Sequence, residues 1–111
     1  MTVTAKRLIA PVQLAATSAL LFTATAKQTI IKAASLCNST AANHSATLYL
    51  VPYAGTAGVT NIIEDALGVA PHTTVTACDL VGHTMLVGDM IYGLADAATA
   101  VTLHLSGMEI Q

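Results

Sequence analysis

The sequence predicts an all-β fold: one jelly-roll-like antiparallel β-sandwich of seven or eight short strands. Three observations carry that reading. Val101, Leu103 and Leu105 alternate with Thr102, His104 and Ser106, the period-two mark of a strand with one wet face. Short segments rich in β-branched and aromatic residues recur roughly every ten residues between Gly, Pro and Asn punctuation, the spacing of sandwiches and barrels. Helix signals are weak throughout, and one turn near Glu64 to Leu67 is all the pattern allows.

Taken in order, residues 1–18 read as an extended N-terminal arm, and residues 19–111 as the sandwich domain. Lys6-Arg7 ahead of the apolar run Leu8 to Phe22, with Ala24-Thr25-Ala26 after it, imitates a secretory signal. Pro11, Gln13 and Thr17-Ser18 break that run into pieces too short for the purpose, and no unbroken apolar stretch is long enough for a membrane helix. Ala19 to Thr23 reads as a strand. Gln28 to Cys37 is a longer one, closed by the Asn38 to Asn43 loop. Ser45 to Val51 follows and stops at Pro52. After the glycine loop Ala54 to Gly58, Thr60 to Leu67 is a strand or short helix. Thr73 to Cys78 and Thr84 to Val87 are further strands, separated by the Val81-Gly82-His83 turn. Gly88-Asp89 is a turn pair. Met90 to Ala95, Asp96 to Ala98 and Thr99 to Ile110 then read as strand, turn and strand, a hairpin. A hairpin is marginal alone in water, so the remaining strands must complete its sheet.

Composition bears on function. The chain is 54% apolar and only 9% charged, against roughly 25% charged in an ordinary soluble domain. A surface made of Thr, Ser, Ala, Asn and Gly is poorly protected against association, which suggests that partners cover much of it. Charge is sorted along the chain. Lys6, Arg7, Lys27 and Lys32 precede every acid, and Glu64, Asp65, Asp79, Asp89, Asp96 and Glu109 follow. Either this polarity survives folding and orients contacts, or strands from both ends interleave and it averages out. Cys37 and Cys78 belong to no CxxC pair and read as buried free thiols, with a reducing compartment as the default.

Reactive constellations are not apparent. His44, His72, His83 and His104 lie outside any hydrolase frame. His72, Cys78 and His83 have no zinc-ligand spacing, and the acids are too scattered for calcium. Four cations and four aromatic residues make no nucleic-acid stripe. No catalytic residue, cofactor or metal ligand is assigned. Weak carbohydrate binding stays open through Tyr49 and Tyr53, four apart near a strand end, although Tyr49 serves equally as core and Tyr53 as a loop anchor.

Leu36-Cys37-Asn38-Ser39-Thr40, Leu48-Tyr49-Leu50-Val51-Pro52, Gly88-Asp89-Met90-Ile91-Tyr92 and Val101 to Glu109 resemble segments of small virion proteins of tailed bacteriophages. The nearest likeness is to the outer-shell decoration proteins of short-tailed Salmonella phages of the epsilon-fifteen type, over residues 20–110. The resemblance implies a jelly-roll-like sandwich on the outer surface of the capsid, clamping major capsid protein subunits, usually as a dimer or trimer and without catalysis. Tail or fibre modules carry related sequences, so binding of host polysaccharide is the alternative. Candidate partner contacts are Lys6, Arg7, Leu8 and Ile9 on the arm, Tyr53 in its loop and His104 on the wet face. Thr99 to Ile110, if at a sheet edge, is where another copy would pair.

Overall fold

The computed structural model describes residues 1–111. Every regular element in it is a strand: β1 (Val3–Arg7), β2 (Val12–Gln13), β3 (Ala19–Thr23), β4 (Gln28–Asn38), β5 (His44–Val51), β6 (Ile62–Val69), β7 (Thr73–Thr76), β8 (Thr84–Leu86), β9 (Met90–Ala95) and β10 (Val101–Ile110). Two antiparallel sheets face each other. In the larger, β10 and β4 form the central pair; β1 and β2 flank β10, and β7 and β8 flank β4. The smaller has the order β3-β9-β5-β6. The all-β sandwich read from the sequence is what forms. Short pieces such as β2 and β8 raise the strand number above the expected seven or eight.

Between the sheets lies a core of Leu14, Ile31, Leu36, Leu48, Ile91, Val101, Leu103 and Leu105 with smaller neighbours, all essentially inaccessible. Truncating such a leucine to alanine typically costs about 2–5 kcal/mol. The inward positions of β10 are the apolar half of its alternation, as read from the sequence, through Leu105. Opposite the Ser106/Gly107 step the pairing with β4 shifts register. A Cβ on Gly107 would lie 2.2 Å from the carbonyl oxygen of Ile30, so only glycine fits this close approach.

Several expectations are corrected. β9 and β10 do not form a hairpin. They belong to different sheets, because residues 96–100 carry the chain across the sandwich. Asp96 N–H donates to Ser45 on the smaller sheet, and Thr99 N–H donates to Leu14, whose own N–H is bonded to Val101 beside the larger one. Thr99 adopts φ 59° to make that crossing. β10 is central and not an edge, since β1 and β2 cover one side and β4 the other. Glu64 to Leu67 is part of β6; its pairing with β5 is interrupted by two register shifts, and Ala66 sits at φ 51°. Those irregularities blur the period-two pattern into something helix-like. Both thiols are free, but Cys37 is only half-buried and Cys78, in the loop after β7, is exposed.

Residues 1–18 are extended along their own domain. β1 and β2 run beside β10, Leu14 is in the core, and Leu8, Ile9 and Val12 pack against it. Ala15 then accepts from the N–H of Ala95 on the smaller sheet.

Candidate functional site

The outward face of the larger sheet carries a shallow open trough of about 620 Å³. Ser35 and Cys37 reach it from β4, His104 and Ser106 from β10, Thr74 from β7 and Arg7 from β1, while Ile9 closes one side. Register explains the gathering: Arg7 is opposite Ser106, His104 opposite Ser35, and Cys37 opposite Thr74. Small side chains at Ala33, Ser35 and Ser106 leave the floor low, and the lining mixes apolar groups of Ile9, Ala33 and Leu105 with hydroxyls, one thiol, one imidazole and one cation.

Charge on the larger sheet is one-sided. The strands of the larger sheet hold Lys6, Arg7 and Lys32 and a single acid, Glu109. Glu109 is nearly buried and its carboxylate is 3.3 Å from the Lys6 ammonium, so Arg7 and Lys32 stand without an acidic partner. The strands of the smaller sheet hold Glu64 and Asp65 and no Lys or Arg. N- and C-terminal strands do interleave, yet the polarity of the sequence survives as a difference between the two layers.

Of the residues singled out by sequence, Arg7, Ile9 and His104 come together in the trough. Lys6 is paired with Glu109, and Leu8 packs on the core. Tyr53 lies elsewhere: its ring covers Gly88, whose φ of 90° and contact with that ring both exclude a side chain, and its N–H donates to Asp89 Oδ1 at 3.0 Å. It is 75% exposed. Tyr49 does not join it in a platform but stands opposite Tyr92 on β9.

The sequence reading missed two apolar outer surfaces. On the larger sheet, Ala5, Met108 and Ile30 fall in one apolar cross-strand row, and Val3 and Ile110 begin the next, which passes through the exposed Gln28 to Leu86. On the smaller sheet, Leu20, Tyr92, Tyr49 and Ile62 line up across all four strands. Antiparallel sandwiches normally turn polar residues outward. Only β-strand register reveals these rows, because their members are scattered over the whole sequence.

Two acids are perturbed. Glu64, on β6, faces inward and accepts the Asp79 N–H at 3.3 Å. Burial, then the hydrogen bond that protonated Glu64 donates to the Asp79 carboxylate, and the Asp79 charge raise its pKa against the lowering effect of that N–H. At Asp96 a small burial effect is outweighed by the N–H of Ser45 and by His44, whose Nδ1 lies 2.9 Å away, and the pKa falls. This pair ties the start of β5 to the end of β9. No group of three or more His, Cys, Asp or Glu side chains converges, including the set His72, Cys78 and His83.

No protein-family model and no curated protein matches the chain. It is similar in backbone course to chains in the structures of two strains of infectious bursal disease virus. For the Gx strain the identity is 14% and the TM-score 0.45, over 96% of this chain and 32% of that one. For the Gt strain the values are 12% and 0.44, over 96% and 30%. The chain thus spans about a third of those viral chains, and a likeness of this size carries no argument about function.

Proposed function

We propose that the protein is a structural component of a virion. In this reading it lies on the outer surface of a bacteriophage capsid, where it clamps neighbouring major capsid protein subunits and performs no catalysis. The observation that carries the reading is the pair of apolar, charge-free rows on the outward faces of both sheets. A sandwich that stays in solution keeps such rows polar; one that is pressed between proteins need not. The trough with its unpaired Arg7 supplies a cationic anchor beside the larger row, suited to a carboxylate on the surface beneath. The sequence resemblance to phage decoration proteins points the same way.

The mechanism is additive burial. Each copy contributes a modest interface, of the order of 1,600 Å² at standard size, and many copies on one shell make rupture require many simultaneous losses. Purified protein is expected to co-sediment with heads that lack it, and Arg7→Glu to lower that occupancy, most at low salt. Failure of the wild-type chain to bind heads refutes the proposal.

A second reading has its own observation. Tyr49 and Tyr92, side by side and half-exposed with Leu20 beside them, form a platform of the kind that stacks on sugar rings, as a tail or fibre module for host polysaccharide requires. Co-sedimentation with lipopolysaccharide, lost in Tyr92→Ala and absent with heads, selects this alternative.

A further inference from the structure

We propose that β1 is a self-association edge, through which two copies of the chain pair antiparallel with Ala5 opposite the Ala5 of the second copy. The inference rests on backbone groups, not on the capsid reading above.

β1 pairs with β10 and with no other strand. Leu8 N–H donates to Leu105 and Gln111 N–H donates to Thr2. Hydrogen-bonded positions alternate along an antiparallel pair, so Thr4 and Lys6, opposite Glu109 and Gly107, also turn their backbone groups toward β10. Val3, Ala5 and Arg7 therefore point their N–H and C=O groups away from the sheet, at an unpaired edge. All five residues of β1 are exposed, so no side-chain wall or opposing layer blocks an approaching strand.

Edge strands are commonly protected by charge, lysine above all. Here Lys6 is neutralised by Glu109, which removes most of that protection. Arg7 then limits the possible registers. Sliding the two copies so that Lys6 or Arg7 meets itself sets like charges opposite one another, which is unfavourable. Centring the pair on Ala5 sets Arg7 beside Val3 of the second copy and Lys6 beside Thr4. In that register every free N–H and C=O of Val3, Ala5 and Arg7 finds a partner. The apolar row Ile30, Met108 and Ala5 then runs unbroken into the same row of the second copy. One continuous sheet results, twice the width of the original, with a joint apolar outer face.

Five residues a side bury less than a standard interface, so the association is concentration-dependent in solution. Cross-linking tests the register directly. In a Cys37→Ser, Cys78→Ser background, Ala5→Cys places two cysteines at a hydrogen-bonded pair, with Cα atoms about 5.5 Å apart and within disulfide reach. Thr4→Cys places them on a diagonal of about 7–8 Å, beyond it. Mild oxidation is expected to give roughly tenfold more covalent dimer from Ala5→Cys than from Thr4→Cys. Ala5→Pro removes only an N–H that points away from β10; it should keep the thermal stability of the monomer and abolish the concentration-dependent dimer in sedimentation equilibrium. Equal cross-linking of the two cysteine variants, no cross-linking from either, or an undiminished dimer in Ala5→Pro overturns the proposal.

Discussion

Thr29 shows how much a single atom matters in this sandwich. Its hydroxyl is fully buried and has no hydrogen-bond partner, beside the nearly buried Glu109 across the strand pair. An orphaned buried hydroxyl costs free energy that an apolar group of the same shape does not. Thr29→Val keeps the β-branched outline and is expected to stabilise the fold by about 1 kcal/mol in chemical denaturation. Glu64 is the second such position. Because burial and Asp79 raise its folded-state pKa, the unfolded chain ionises first as pH rises. Stability is therefore complete below the ordinary carboxylate range, falls as pH climbs towards the folded value, and stays lower above it. Glu64→Gln keeps an acceptor for the Asp79 N–H, so its melting temperature should exceed that of the wild type at pH 7, with the difference vanishing near pH 4. A difference of equal size at both pH values would place the effect in packing and not in charge.

Among the elements, β10 and β4 are the frame on which the others are hung. Their pairing runs from Val101 opposite Asn38 to Ile110 opposite Gln28, and the register shift at Ser106/Gly107 passes over Lys32 so that the ladder continues on both sides of it. Gly107→Ala must displace the Ile30 carbonyl, and overpacking of this kind costs about 1–3 kcal/mol; urea titration should show a lower midpoint with an unchanged slope. Residues 1–18 behave as part of that frame. Removing residues 1–16, harmless to the fold if they were a free arm, takes Leu14 out of the core and uncovers one side of β10. Loss of a buried leucine alone costs about 2–5 kcal/mol, so the truncated chain should be largely unfolded by circular dichroism. For that reason point changes at Ala5 and Arg7, which leave the core alone, are the sound tests of what this segment contacts.

For the whole molecule, sequence and structure contributed different things. Poverty of charge, the apolar excess and the strand-and-turn rhythm were legible in the sequence, because side-chain chemistry and period-two alternation are local properties. The turn at Gly88-Asp89 was legible for the same reason, although the ring of Tyr53 lying over Gly88 was not. In the trough, His104 was found from the alternation of its own strand, and Arg7 from its place in the arm. Ser35 and Thr74 went unnoticed and Cys37 was read only as a buried thiol, since nothing in their neighbourhoods marks them for a shared site; they become neighbours only when β4 pairs with β7 and β10.

Alternation says which residues share a face, but not which face is covered or by what. Met90, Tyr92 and Leu94 are as apolar as Ile91, Gly93 and Ala95, and sequence alone could not choose between them. The fold turns the smaller set inward, where Leu21 and Leu48 crowd Gly93 so closely that an added Cβ would come within 2.8 Å of each. That packing decision sends Tyr92 outward, and the assignment of β9 and β10 to different sheets follows from the crossing at residues 96–100. What the sequence determined by itself was a charge-poor β-protein with weakly guarded surfaces. Which apolar rows face outward and which backbone edge stays open was decided by strand register and layer order, which depend on contacts between residues far apart in the chain.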